Sequence, residues 1–301
     1  MKWASLLAAA MLALVAGCGG DDNNDGSEAA GTTTAASASC DKAQLQLVTP
    51  GQLTVGTDNP AFPPWFDGGT PSGSSWEIND PSTGKGFESA VAYAVAQKLG
   101  FTKDEVKWIV TPFNLSFKPG TKKFDFDINQ ISVTDERDRA VDFSDSYYDV
   151  NQARVAVNGT PLATASSTAD LKSARLGAQI GTTSLGYIQD TIQPEQDPRV
   201  YDTSNDVVAA LNAKQIDGIV VDLPTAFFLV GAEEVKNGKV VGQFEGTGTG
   251  GEQEHFGMLF EEGNTLRDCV NDALAELKSA GTLDQIQQEW LSEKASAPVL
   301  K

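Results

Sequence analysis

ISVTDERDRAVDFSDSYY, residues 131–148, sets how the rest of the chain is read. Its first half brings together the hydroxyls of Ser132 and Thr134 and then a guanidinium, Arg137. The approach to it, FDFDINQ at 124–130, alternates apolar and polar residues and predicts a strand. Ser132 to Arg137 then fall at the strand's carboxyl end, where open α/β sheets bind ligands. Arg137 offers a planar fork of donors that matches a carboxylate. Taken alone, S-x-T-x-x-R equally fits a surface loop whose Arg pairs with Asp135, Asp138 or Asp142.

Upstream, Leu53-Thr54-Val55-Gly56-Thr57-Asp58 reads as a short strand ending in polar residues. The prolines of NPAFPPWF (59–66) exclude helix and put Phe62 and Trp65 on a stiff loop. Residues 67–84 are rich in Gly, Ser and Pro and predict an irregular excursion. A helix follows, with the stripe Phe87, Val91, Ala94, Val95 and Leu99, ended by Gly100. After a strand at 106–110, Pro119-Gly120 breaks any long helix in NLSFKPGTKK. The strand at 124–130 is unusually polar for a central parallel strand, since it carries Asp127, Asn129 and Gln130.

Beyond Arg154 the chain is expected to cross into a second lobe, through a linker-like loop at 162–167. The strand at 175–180 carries Gln179 and ends in Gly181-Thr182-Thr183-Ser184, a glycine turn entering a helix. Free N–H groups at such a turn suit an anion, although most such turns are only caps. A helix at 206–213 precedes the apolar strand 218–221, which ends in Asp222 before Leu223-Pro224-Thr225. Asp222 reads as either an N-cap or a free carboxylate. The return strand is 255–260, and two helices with Asn264 and Thr282 as N-caps close the chain. The single His255 has no partners that suggest a metal site, and no cofactor is expected.

With 301 residues the chain is long enough for two lobes. A formal charge of −19 opposes nucleic acid and anionic headgroups as partners. Lys2, an apolar run at 6–15 and Val15-Ala16-Gly17-Cys18 read as a signal peptide ending in a lipobox, with Cys18 lipidated. Residues 19–39 contain no large apolar side chain and predict a tether reaching roughly 25 Å. In an oxidising compartment the remaining pair, Cys40 and Cys269, predicts a disulfide.

Ser132-Val133-Thr134-Asp135-Glu136-Arg137, followed by Asp142-Phe143-Ser144 and Tyr147, resembles the signature of family 3 extracellular solute-binding proteins. The resemblance runs from about Leu53 to Trp290, through the G-T-D, G-T-T and V-D-L-P-T runs. It implies an α/β fold of two lobes, each a mostly parallel sheet flanked by helices, with the ligand in the cleft between them. Lobe 1 is expected at 41–152 and 254–301, and lobe 2 at 153–253, after a signal peptide at 1–18 and a tether at 19–40. It further implies a monomer that binds a free amino acid and delivers it to an ABC transporter permease, held outside the cytoplasm by its lipid anchor.

By the same resemblance, Arg137, Ser132 and the Gly181-Thr182-Thr183 turn take the ligand carboxylate and Asp222 its ammonium. Phe62, with Trp65 and Phe113, would flank the ligand, while Asp58, Asn129, Gln130 and Gln179 would read a polar side chain. Asn129 and Gln130 stand where the family has small residues, so they equally suit bonds to nearby loop backbone. An enzyme on the same scaffold, as in periplasmic dehydratases, would need an uncommitted acid or base in the cleft. Asp58 and Asp127 are the formal options, without a clear acid–base pair.

Overall fold

The structure is a computed structural model that describes residues 40–248, 251–291 and 297–300. Cys18, the signal peptide and tether residues 19–39 lie outside the described residues.

β1 (Leu53–Thr57) is buried along its whole length. It is flanked by parallel neighbours: β2 (Val106–Val110), reached through α1 (Phe87–Lys98), and β3 (Phe126–Asp127), reached past the single turn α2 (Phe113–Ser116). β4 (Asp142–Phe143) ends this run, and β5 (Tyr148–Val150) leads out of the lobe. The second lobe holds β6 (Gln152–Val157), β7 (Leu176–Gln179), α3 (Thr183–Tyr187), β8 (Arg199–Tyr201) and α4 (Ser204–Asn212). It continues through β9 (Gly218–Asp222), α5 (Leu223–Gly231) and β10 (Gly238–Phe244). The chain returns on β11 (Glu254–Phe256) and β12 (Leu259–Phe260), then closes with α6 (Leu266–Ser279) and α7 (Thr282–Leu291).

Two five-stranded sheets result, ordered β2-β1-β3-β12-β4 and β10-β6-β9-β7-β8. In the first, β12 is antiparallel to both neighbours; in the second, β6 is. Between the sheets stands a two-stranded antiparallel ribbon, β5 with β11, in which Glu254 faces Val150. Two connections between the lobes thus pass side by side, at Asn151 and just before Glu254, and the chain crosses again after α7 to reach β10.

Each sheet has its own core. In lobe 1 the α1 stripe of Phe87, Val91 and Val95 packs with Trp65, Phe66 and the α6 residues Val270 and Leu274. Burying one such large side chain contributes about 1.5–3 kcal/mol. Gly56 permits the close approach of β1 to β3, since a Cβ there would lie 2.6 Å from Asp127 Oδ2. Gly86, at φ +90, lets the Trp65 loop lie on the start of α1; a Cβ would sit 2.5 Å from the Trp65 carbonyl oxygen. The Cys40–Cys269 disulfide joins the first described residue to α6.

Five details depart from the sequence reading. The strand expected over 124–130 keeps ladder pairing only at Phe126–Asp127, because Gln130 adopts φ 47 and turns the chain off the sheet. The stretch 162–167 is no free linker: Leu162 and Ala163 are buried, and Arg154 Nη2 donates to the carbonyls of Leu162 (2.9 Å) and Ala165 (3.1 Å). The helix after the glycine turn runs only five residues before widening at Ile188–Ile192. Residues 297–300, expected in lobe 1, lie along β10 instead, with Val299 bridged to Gln243 and Leu300 buried in the lobe 2 core. Thr265, not Asn264, holds the N-cap position of α6 and makes no side-chain cap; Asn264, one residue earlier, accepts from the Leu266 N–H at 2.9 Å.

Candidate functional site

The carboxyl ends of β1, β3, β7 and β9 open on one cleft between the sheets. Asp58, Phe62, Trp65, Phe113, Asn129, Gln130 and Ser132 line it from lobe 1. Gln179, Thr182, Thr183 and Asp222 line it from lobe 2. Arg137 and Gly181 sit directly behind this lining, joined to each other across the cleft.

Arg137 lies in a one-turn helix and is 7 % exposed. Its Nη1 donates to the Ser132 carbonyl at 2.6 Å and its Nη2 to the Gly181 carbonyl, in the other lobe, at 2.7 Å. The guanidinium also lies over the rings of Phe117 (4.6 Å) and Phe113 (5.5 Å). Burial pulls its pKa down to about 10, against the opposing pull of Glu254 and Asp222, so it stays charged. Its expected carboxylate partners within the loop are therefore not the contacts it makes. Gly181 takes φ +78, and Thr182 caps the following turn, its Oγ1 accepting from the Leu185 N–H at 3.2 Å.

Asp222 stands at the start of α5 but makes no side-chain cap; its Oδ1 accepts from Gln152 Nε2 at 2.7 Å. Burial, then the neighbouring Glu254, pushes this carboxyl up to about 8. Asp58 spends its oxygens on the backbone N–H groups of Asn59 (2.8 Å) and Phe113 (3.3 Å), and burial raises its pKa. Asn129 is 7 % exposed, and its Nδ2 has no hydrogen-bond partner among the described residues. Gln179 Oε1 accepts from Ser204 Oγ at 2.6 Å.

Gln130 differs from Asp58, Asn129 and Gln179 in being held by a buried acid of α1. Its backbone N–H donates to Glu88 Oε1 at 2.6 Å and its amide Nε2 bonds Glu88 Oε2, so the side chain is tied to α1. Glu88 is fully buried, also accepts from the Tyr147 hydroxyl, and is pushed up to about 7 by burial. Burial, Glu88 and Asp58 raise Asp127 well above the usual range. Trp65 is 1 % exposed and packs edge-on against Phe87, Tyr148 and Phe256, with centroids 5.7–5.9 Å apart.

Sequence reasoning missed Glu88, Gln152, Phe117, Thr225 and, above all, Glu254. The only trace of Glu254 was alternation: Glu254 and Phe256 flank His255 on a return strand, so both point the same way. Among the described residues no group of three His, Cys, Asp or Glu is arranged to hold a metal ion.

Residues 53–293 match the bacterial extracellular solute-binding proteins, family 3. The L-cystine-binding protein TcyJ of Escherichia coli is 29 % identical over 244 residues, covering 80 % of this chain and 82 % of that protein. The ABC transporter arginine-binding protein 1 of Escherichia coli is 30 % identical over 181 residues, 57 % of this chain and 68 % of that protein. Among solved structures, an ancestral arginine-binding protein bound to arginine superposes with a TM-score of 0.65 at 29 % identity, over 80 % of this chain and 98 % of that one.

Proposed function

The chain belongs to the bacterial extracellular solute-binding proteins, family 3, and from that premise we propose that it captures a free L-amino acid for an ABC importer. It is a binding protein and not an enzyme. The observation that carries the reading is the placement of one guanidinium and one carboxylate, Arg137 and Asp222, on opposite lobes of a single cleft. Arg137 serves the ligand carboxylate and Asp222 serves the ammonium. A ligand held at both ends bridges the lobes, so closure and binding are one equilibrium. Each charge-assisted hydrogen bond contributes about 1.5–3 kcal/mol.

Asp58, Asn129 and Gln179 support a polar neutral or cationic ligand side chain, since none of the residues lining the cavity is Lys or Arg. Cystine, arginine, glutamine, histidine and lysine/arginine/ornithine are named for relatives at 25–30 % identity. The chain's Cys18 site supports anchoring to the outer face of the bacterial membrane through lipid, with delivery to a membrane permease.

A thermal-shift screen of amino acids tests this first, because a ligand at 100 times its Kd stabilises by about 2.7 kcal/mol. Titration calorimetry with the selected ligand then tests the clamp. Arg137→Ala leaves a carboxylate in a closed cleft without its charged partner, which costs about 3–5 kcal/mol, or about two to four decades of affinity. Asp222→Asn is expected to weaken binding by decades as well. Unchanged affinity in both variants overturns the clamp.

A further inference from the structure

Glu254 begins β11, one of the two strands on which the chain passes between lobes, and is 1 % exposed. Its Oε1 accepts from Ser132 Oγ and from Thr183 Oγ1, both at 2.6 Å. Ser132 belongs to lobe 1 and Thr183 to lobe 2, and their hydroxyl oxygens are 3.4 Å apart. Oε2 accepts from Thr247 Oγ1 at 2.7 Å and Gln152 Nε2 at 3.1 Å. The same Gln152 nitrogen reaches Asp222, while Gln152 Oε1 accepts from Ser184 Oγ at 2.5 Å. A buried carboxylate is thus filled with donors from lobe 1, lobe 2 and the hinge.

We propose that Glu254 is a positioning residue that clasps the cleft, joining Ser132 to Thr183 across it and orienting Asp222 through Gln152. One oxygen holds both hydroxyls only while the lobes are together. Opening carries Ser132 away from Thr183 and gives up at least one charge-assisted bond, which is the differential interaction a closed-state bias requires. Glu254 lies on the ribbon that joins the lobes, paired with Val150, and so is placed to receive a partner from each. Its charge reaches both ends of the clamp, supporting the charged form of Arg137 and the protonated form of Asp222. The other groups around Asp222 are Glu88, Tyr147 and Tyr148, so Glu254 is one of two acids bearing on it.

The test reads lobe separation directly and needs no ligand. Spin labels replace exposed Lys118 in lobe 1 and Asp202 in lobe 2, and pulsed electron resonance measures their distance in full-length protein freed of amino acids. Glu254→Ala is expected to raise the open-to-closed ratio about tenfold, the population equivalent of one charge-assisted hydrogen bond. Glu254→Gln keeps the shape and one acceptor and is expected to raise it less. If the alanine variant fails to fold, the glutamine variant decides alone. Wild-type distance distributions in the folded variants, even with lowered melting temperatures, make Glu254 merely structural and overturn the proposal. A wild-type protein with no closed population overturns it too. L-arginine, L-glutamine and L-cystine are titrated in parallel. Failure of these three and of the whole amino-acid screen against wild type counts against the amino-acid reading alone, because the distance measurement still decides about Glu254.

Discussion

Trp65 and Thr225 meet across the cleft, the indole Nε1 of lobe 1 donating to the threonine Oγ1 of lobe 2 at 2.9 Å. The bond forms only when the lobes are together, so it contributes to closure and not to the fold of either lobe. Thr225→Val keeps the shape and removes the acceptor. The expected loss is about 0.5–1.5 kcal/mol of binding, at most about tenfold in Kd, with little change in melting temperature. Trp65→Ala is different, since it empties the center of the lobe 1 aromatic cluster and is expected to cost about 3–5 kcal/mol of stability. Calorimetry and thermal melts on the two variants check the separation.

The pH dependence has a definite sign. Burial raises Glu88 from 4.5 to about 7, and burial with Glu254 raises Asp222 from 3.8 to about 8. Each folded pKa exceeds its unfolded value, so each group's contribution is fully present below about pH 4 and is lost as pH rises through 7 to 8. Glu88→Gln is expected to flatten the fall in melting temperature between pH 5 and 8. Ligand binding runs the other way at Asp222, because an arriving ammonium favours its carboxylate. Binding near pH 7 is therefore expected to release a proton, read as a dependence of calorimetric heat on buffer ionisation enthalpy, and Asp222→Asn is expected to abolish the release.

The positions of the candidate site residues were legible where each depends on its own chain neighbourhood, while their roles rested on the family resemblance. Arg137, Ser132 and the Gly181 turn follow strand ends, and Asp222 ends an apolar strand just before a proline; the structure brings Ser132, Thr183 and Asp222 to one cleft, with Arg137 bonded to Gly181 behind it. The tie between Gln130 and Glu88 was not legible, because Glu88 sits 42 positions away on α1. Glu254 was invisible for the same reason: its donors come from residues 132, 152, 183 and 247, brought together only by the hinge. The polar strand at 124–130 was legible as polar, but the turn that ends it at Gln130 is not written in any Gly or Pro.

The bridge between Cys40 and Cys269 spans 229 positions. The chain-entropy relation gives up to about 5 kcal/mol for a loop of that size. Replacing both cysteines with alanine is expected to lower stability toward denaturant by as much as this. Mass spectrometry of unreduced protein checks the starting state, and two free thiols there would remove the prediction.

Anchoring is tested at Cys18. Cys18→Ser is expected to move the protein from the membrane to the soluble fraction, with melting temperature and ligand affinity unchanged. Equal fractionation of variant and wild type would reject the lipid anchor.

The same cross-link has a mechanical meaning. β1 begins at Leu53 in the middle of the first sheet, between β2 and β3, while the chain ahead of it is fastened at Cys40 to α6. Tension applied from the N-terminal side therefore divides at the sulfur bridge and enters a fourteen-residue helix packed on the lobe 1 core. β1 is shielded from being peeled out of its sheet, because the load enters lobe 1 through α6 and not through β1. A pull on the N-terminus leaves the two lobes free to open and close.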